Sequence, residues 1–275
     1  MKSKSNHLVS VVVPTLNNER VIHNCLESIK NQTYDNIELI IVDSNSTDRT
    51  AEIAKQFTKN IIVKESGASA ARNIGINNSK GEFILSIDSD MVLGPDVVKE
   101  CISKIKNYDA LIIPEESVGS GFWSMCKSFE RSFYFDEPLV ESPRFFRRDS
   151  LEKIGFYDDN LFFGEDRDIT NRILANNMGI GRIDSVINHD EGRLTLSKMW
   201  SKNKKYGLTF LKYKSKYPAL ASKQVGLGRI FTFLRGWKKL LKHPLLTLGM
   251  AFLLGIQYLA FRYGIICFKA RGKYE

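Results

Sequence analysis

Asp88 and Asp90 flank Ser89 at the carboxyl end of an apolar run, Ile84 to Met91. Two carboxylates one residue apart, where a strand stops, can hold an oxygen-seeking divalent cation. Mg2+ or Mn2+ takes one or two protein carboxylates and completes its shell with water and substrate phosphates. The same three residues also suit a turn that caps the following helix, because Asp favours both positions. Asp43 ends another apolar run; it can accept hydrogen bonds from a nucleobase or ribose, or simply close a turn. Arg72 can add positive charge beside a diphosphate or sit on a solvated helix face. Glu165 and Asp166 follow an aromatic, glycine-bearing loop at the start of a helical pattern, where capping and the helix dipole alone favour acids. If Asp88 and Asp90 hold an activated sugar by its diphosphate, a hydroxyl attacking the anomeric carbon must lose its proton. A carboxylate on the far side of the sugar is the natural general base.

The elements that must position these groups follow from periodicity. Leu8 to Val13 is a β-branched run stopped by Pro14, and Glu38 to Val42, Ile61 to Val63, Phe83 to Ile87 and Ala110 to Pro114 repeat the pattern of strands buried on both faces. Between them lie helical spacings: Val21 to Ile29 with Asn17 or Asn18 as cap, Arg49 to Phe57, Gly67 to Asn78 and Pro95 to Lys106. Arg144 to Arg148 reads as an edge strand, Asp149 to Gly155 as a short helix with a glycine stop, and Gly181 to Asn188 as a strand. The aromatics Phe122, Trp123, Phe129, Phe133, Tyr134 and Phe135 read mainly as core, with one or two available to an acceptor site. Strands alternating with helices predict a mostly parallel α/β sheet covered on both faces. Ligands in such sheets bind outside the carboxyl ends of the strands, where Asp43, Asp88 and Asp90 fall.

Five segments together carry a family resemblance: Val11 to Glu19 (VVVPTLNNE), Ile40 to Asp48 (IIVDSNSTD), Ala71 to Gly75 (ARNIG), Asp88-Ser89-Asp90, and Gly164 to Asp168 (GEDRD). Over about Leu8 to His189 the chain resembles glycosyltransferase family 2. That resemblance implies a GT-A fold, Rossmann-like with a mostly parallel central sheet and helices on both faces, and an inverting, nucleotide-sugar-dependent enzyme. It implies that Pro14, Thr15, Asn17, Glu19, Asp43 and Ser44 surround the nucleotide, with Arg72 and Asp88 near it. Asp90, assisted by Asp88, would bind Mg2+ or Mn2+; Asp166 would be the base, supported by Glu165. His189 falls where related enzymes sometimes place a metal or phosphate ligand, or it is structural. Members acting on dolichyl or undecaprenyl phosphate attack with an anion and typically lack the Glu-Asp pair, so its presence favours a hydroxyl acceptor. The Gln-x-x-Arg-Trp motif of processive synthases is not found; Gln224 to Leu227 does not match it. One sugar per encounter is therefore expected.

Charge is distributed unevenly. Gly192 to Tyr274 holds 18 Lys and Arg and no Asp or Glu, leaving 22 basic against 30 acidic residues before it. An acidic body with a basic tail points to a polyanionic partner. Leu194 to Tyr217 reads as a lysine-rich helix packed on the body. In Arg229 to Lys242, Ile230, Phe233, Leu234, Trp237, Leu240 and Leu241 share one face, with Arg235, Lys238, Lys239 and Lys242 opposite. This is the pattern of a helix lying in a membrane surface. Leu245 to Phe261 lacks charge, and apolar character resumes after Arg262 through Phe268. A span, a re-entrant segment and an interfacial helix all suit it.

The expected organisation is a catalytic domain over 1–217 and a helical, membrane-associated appendage over 218–275. Cys25, Cys101, Cys126 and Cys267 are scattered, giving neither a zinc site nor a disulfide framework. The polar start, Met1 to His7, shows no signal peptide. The expected reaction is transfer of a sugar, UDP-linked by preference, to a hydroxyl of a lipid-linked or surface glycan at the cytoplasmic face of the cell membrane. A polyprenyl-phosphate acceptor is the alternative. A non-enzymatic nucleic-acid-binding protein is a third reading, opposed by the long apolar run that interrupts the lysines; no nucleic-acid partner is expected.

Overall fold

The computed structural model describes residues 7–134, 141–225 and 228–271, without the side chains of 222–231 and 271. Phe135, Gly226 and Leu227, and the side chains of Gln224, Val225, Arg229 and Ile230, lie outside the described set. The chain forms two compact units. The first comprises Met1–Glu115, Ser142–Asp159 and Asp166–Asp190; the second comprises Glu116–Glu141, Asn160–Glu165 and Glu191–Glu275.

In the first unit, strands β1 (Val9–Thr15), β2 (Ile37–Asp43), β3 (Ile61–Val63), β4 (Phe83–Ser86), β6 (Ala110–Ile112), β8 (Phe145–Arg147) and β9 (Ile180–Arg182) make one sheet. Their order is β3-β2-β1-β4-β8-β6-β9. Neighbours β1, β2, β3 and β4 pair in parallel, as do β6 and β9; only β8 runs against its neighbours. The mostly parallel α/β architecture expected from periodicity is what forms. Alternation along β1 assigns the two faces. Val9, Val11 and Val13 pack with Ile22, Cys25 and Leu26 of helix α1 (Ile22–Lys30) and with Val97, Val98 and Cys101 of α4 (Val97–Lys104). Val12 faces the other way, toward Ile76 of α3 (Ala68–Asn77), Leu151 of α6 (Arg148–Ile154) and Ile169 of α7 (Glu165–Ala175). The short helix α2 is Thr50–Ala54.

Three local expectations change. β1 runs through Pro14 to Thr15 rather than stopping before it. Its pairing with β4 ends at Val12, so the missing proline N–H falls where only β2 still runs alongside. Asn17 and Asn18 do not cap α1 with their side chains; both are taken by neighbouring loops. The segment at 144–148 is not an edge strand, because β8 lies inside the sheet, antiparallel between β4 and β6, with Phe145 and Phe146 fully buried. A short strand β5 (Met91–Leu93) follows the Asp-Ser-Asp turn and pairs antiparallel with β10 (Ile187–Arg193), setting His189 opposite Met91.

In the second unit, β7 (Glu115–Ser120) begins at the boundary and leads to α5 (Phe122–Arg131). After β10 come α8 (Leu196–Lys216), α9 (Pro218–Val225), α10 (Gly228–Arg235), α11 (Trp237–Lys242) and α12 (Pro244–Arg271). The amphipathic stretch expected as one helix is thus divided at Gly236. Phe210 and Tyr213 of α8 pack with Leu161 and with Phe261 of α12. Over Pro244–Ala270, α12 is long and apolar enough to cross a membrane by length and composition.

Candidate active site

The carboxyl ends of β1, β2 and β4 bring the first group of predicted residues together, and side chains lace their loops to one another. Asn17 has a left-handed backbone (φ 52°), accepts a hydrogen bond from the Thr47 N–H through Oδ1 (2.8 Å), and donates its own N–H to Ser46 Oγ (2.8 Å). Asn18 Nδ2 donates to Ser89 Oγ at 2.7 Å, tying the loop after β1 to the Asp-Ser-Asp turn. Glu19 accepts from the Arg49 N–H and pairs with its guanidinium at 3.2 Å. Asp43 is buried, and its carboxylate accepts from the N–H and hydroxyl of Ser46. Ser44 faces Ser66 across 3.3 Å. Pro14 and Thr15 are buried beside Asp43, and Thr15 Oγ1 has no hydrogen-bond partner. A buried hydroxyl left unpaired is costly, so this one marks a place where a ligand atom would be favoured.

The second group centres on Asp88. Arg72 projects from α3, whose close seat on β1 depends on Gly75: a Cβ there would lie 2.3 Å from Val12 Cγ1. Arg72 donates to Asp88 Oδ1 at 2.6 Å, and Arg144 stands 3.7 Å from Asp88 Oδ2. Burial works against the Asp88 charge, but Arg72, Arg144 and His189 outweigh it and hold the carboxyl down at about 2. Both carboxylate oxygens of Asp88 therefore face arginines.

Arg144 and Glu115 were not singled out from sequence. Because β8 is antiparallel, the residue before it emerges at the carboxyl ends of β4 and β6, and Arg144 N–H and C=O bond Leu111 and Ser86 there. Arg144 Nε donates to Glu115 Oε1 at 2.5 Å. Burial disfavours the Glu115 charge, yet Arg144 and His189 keep it ionised well below the ordinary carboxylate range. Tyr157 was missed as well. Its backbone is clamped by Asn73, which donates to the Tyr157 carbonyl at 2.8 Å and accepts its N–H at 3.0 Å, and Arg72 lies over its ring at 5.3 Å. Burial, with the nearby Asp166 charge adding to it against the opposing Arg72, pushes the Tyr157 phenol up to about 12. Local sequence signals none of these three, since their partners lie far along the chain.

His189 joins the site through the β5–β10 pairing. Its Nε2 is 3.3 Å from Asp90 Oδ2 and its Nδ1 is 3.6 Å from Glu115 Oε2. Asp90 Oδ1 is shielded from solvent and has no hydrogen-bond partner. Among the described residues, no group of three or more His, Cys, Asp or Glu side chains forms a ready-made cation site. Two protein ligands nevertheless suit Mg2+ or Mn2+ when substrate phosphates supply the rest. Asp90, with Oδ1 unpartnered and Oδ2 3.3 Å from His189 Nε2, fits that requirement.

Asp166 lies in the first turn of α7, half-buried, and its charge reaches Arg144 and Tyr157. Its carboxylate makes no hydrogen bond or ion pair within the described residues. Glu165, beside it, is half-buried at the first position of α7. Asp168 plays a structural part: fully buried, it pairs with Arg172 at 2.7 Å, and Arg172 also donates to the Ile154 and Phe156 carbonyls.

Comparison with known proteins bears on this arrangement. The family model described as glycosyl transferase family 2 matches residues 10–159. Glycosyltransferase GlyA of Streptococcus pneumoniae is 39% identical over 133 residues, 46% of this chain and 18% of that protein. TarS of Staphylococcus aureus, a poly(ribitol-phosphate) β-N-acetylglucosaminyltransferase, is 31% identical over 120 residues, 40% of this chain and 21% of that protein. The chain thus matches under two fifths of the length of curated relatives such as these. The crystal structure of TarS 1–349 with UDP-GlcNAc superposes with a TM-score of 0.56 at 19% identity, covering 96% of this chain and 92% of that one. A mannosyltransferase from Pyrobaculum calidifontis, PcManGT, in complex with GDP-Man and Mn2+, gives 0.61 at 16% identity, covering 94% and 87%. At these identities the structural likeness is one of fold.

Proposed function

The chain belongs to glycosyltransferase family 2 and has a GT-A-like fold, and on that premise we propose that it transfers one sugar per encounter, with inversion, from a UDP-sugar to a hydroxyl of a lipid-linked or surface glycan. The transfer takes place at the cytoplasmic face of the membrane. In this reading Pro14, Thr15, Asn17, Glu19, Asp43 and Ser44 line the nucleotide pocket. Asp43 accepts from the base or ribose, and the Thr15 hydroxyl gains a partner. Asp88 acts through Arg72 and Arg144, holding two guanidinium groups beside the diphosphate. Asp90 and His189 hold Mg2+ or Mn2+, with Glu115 orienting the imidazole through Nδ1 as carboxylates orient metal-binding histidines. The ion, when bound, neutralises charge developing on the leaving nucleoside diphosphate.

The observation that carries the reading is Asp166, a carboxylate with no partner among the described residues, set within the field of Arg144 and Tyr157. It takes the proton of the attacking hydroxyl as the new C–O bond forms and the bond to the diphosphate breaks. Glu165 supports the acceptor side. A hydroxyl acceptor is also in keeping with the relative TarS, whose named acceptor is a polyol phosphate polymer. The C-terminal helices keep the enzyme at the membrane where such acceptors are built. The test is a transfer assay with UDP-GlcNAc, UDP-glucose and GDP-mannose against hydroxyl-bearing acceptors and a polyprenyl phosphate. Turnover with hydroxyl acceptors is expected. Transfer confined to the polyprenyl phosphate would overturn the acceptor and base assignments while leaving the family standing.

A further inference from the structure

Within the second unit, α12 has two unlike faces. One is buried: Met250, Leu253, Ala260 and Phe261 are covered, and Gln257 Nε2 donates to Glu130 Oε2 of α5 at 3.2 Å. Glu130 is itself buried and paired with Lys127 at 2.8 Å. Along α8 the two backbones nearly touch. A Cβ at Gly207 would lie 2.1 Å from the Phe261 carbonyl oxygen, and one at Gly264 would lie 2.2 Å from that of Lys204. α8 and α12 therefore pack backbone to backbone, and a crossing by α12 alone would have to break this contact.

The opposite face is exposed and apolar. Leu245, Leu248, Phe252, Leu259, Tyr263 and Ile266 follow one another three, four or seven residues apart, so they form a single stripe along the helix. Leu245 is 73% exposed and Leu248 69%. Arg262 and Lys269 are exposed along one border of this stripe. On α8, Lys202, Lys205, Lys212, Lys214 and Lys216 are exposed as well.

These facts separate the ways in which α12 can meet a bilayer. Its 28 residues are about 42 Å long at about 1.5 Å per residue, more than the roughly 30 Å hydrocarbon core. A crossing would carry α8 along, placing its lysines and the Lys127–Glu130 pair at hydrocarbon depth, where charge is strongly disfavoured. An in-plane helix meets no such obstacle. Its stripe enters the acyl boundary, its basic border meets lipid phosphates, and the α8 lysines stay in water. We propose that α12 lies in the plane of an anionic bilayer surface, inserting the stripe from Leu245 to Ile266 without crossing. This rests on the membrane-associated reading given above and specifies its geometry.

The test uses the full chain in flotation with phosphatidylcholine vesicles, with and without phosphatidylglycerol. Flotation is expected with the anionic vesicles, several-fold weaker without phosphatidylglycerol, and reversed by alkaline carbonate. Replacing Leu248, Phe252 and Leu259 together by Ser should lower partition by about tenfold or more, with UDP-induced thermal stabilisation retained as the check on folding. Arg262→Glu with Lys269→Glu should remove the preference for anionic lipid, which keeps the proposal testable if the first variant misfolds. Carbonate-resistant retention, or undiminished flotation of the Ser variant, overturns the in-plane placement alone. Absence of flotation with either vesicle, including the case where the stripe instead pairs two copies into a dimer, overturns the membrane reading as well.

Discussion

Arg72 and Asp88 are joined by a 2.6 Å hydrogen bond between a guanidinium that is 4% exposed and a carboxylate that is 32% exposed. Asp88→Asn would leave Arg72 and Arg144 crowded together without their shared counter-charge. Removing one partner of a buried pair costs several kcal/mol, and the partial exposure of Asp88 reduces this to about 2 kcal/mol. Urea denaturation near neutral pH checks the figure. A loss below about 0.5 kcal/mol would mean that solvent already screens the pair.

The same contact makes stability depend on pH in a defined window. The Asp88 carboxyl is held at about 2 in the folded state against 3.8 in its ordinary state. A depressed folded value contributes stability that is present above the unfolded value and lost as pH falls toward the folded one. Between pH about 4 and about 2, folding should therefore weaken by about 2 kcal/mol from this group. The acid limb should flatten in Asp88→Asn, measured by denaturation at stepped pH; an unchanged acid limb would assign the loss to other carboxylates, Glu115 first.

Asp166→Asn keeps the shape of the side chain and removes the base. Transfer to a hydroxyl should fall by about 100-fold or more, with the affinity for UDP unchanged in calorimetry. Near-normal turnover by this variant would remove Asp166 from the reaction.

His189→Ala and Asp90→Ala should each weaken Mn2+ binding in the presence of UDP by about tenfold or more, read by electron paramagnetic resonance of free Mn2+. Chelation by EDTA should stop transfer and added Mn2+ restore it. Equal Mn2+ affinity in both variants would move the ion elsewhere.

Gly75→Val should cost about 1 to 3 kcal/mol through overpacking, because the new Cβ would meet Val12 at 2.3 Å. Displacing α3 also moves Arg72, so UDP affinity should fall together with stability. A variant as stable as the parent would show that the helix can shift without strain.

The position of β2, the boundaries of β3, the helix carrying Arg72 and the turn bearing Asp88 and Asp90 were legible because each depends on local pattern: β-branched runs, helical spacing and acids where the runs end. Those patterns, with the order of five segments, were also enough to point to the family. Local pattern does not set strand order. Phe145 to Arg147 reads alike at an edge or in the middle of a sheet, and only its insertion between β4 and β6 turns Arg144 toward Asp88. Glu115 and Tyr157 entered the site for the same reason, since each meets its partners across long sequence separations that periodicity cannot encode. The apolar run in α12 is long and apolar enough to cross a membrane by length and composition, but a run of apolar residues is the same string whether it spans or lies flat. The packing of Gly207 against Gly264 and of Gln257 against Glu130 decided which of its faces is covered and which is exposed, because close backbone contact and a hydrogen bond to a buried carboxylate hold one side of the helix against α8 and α5.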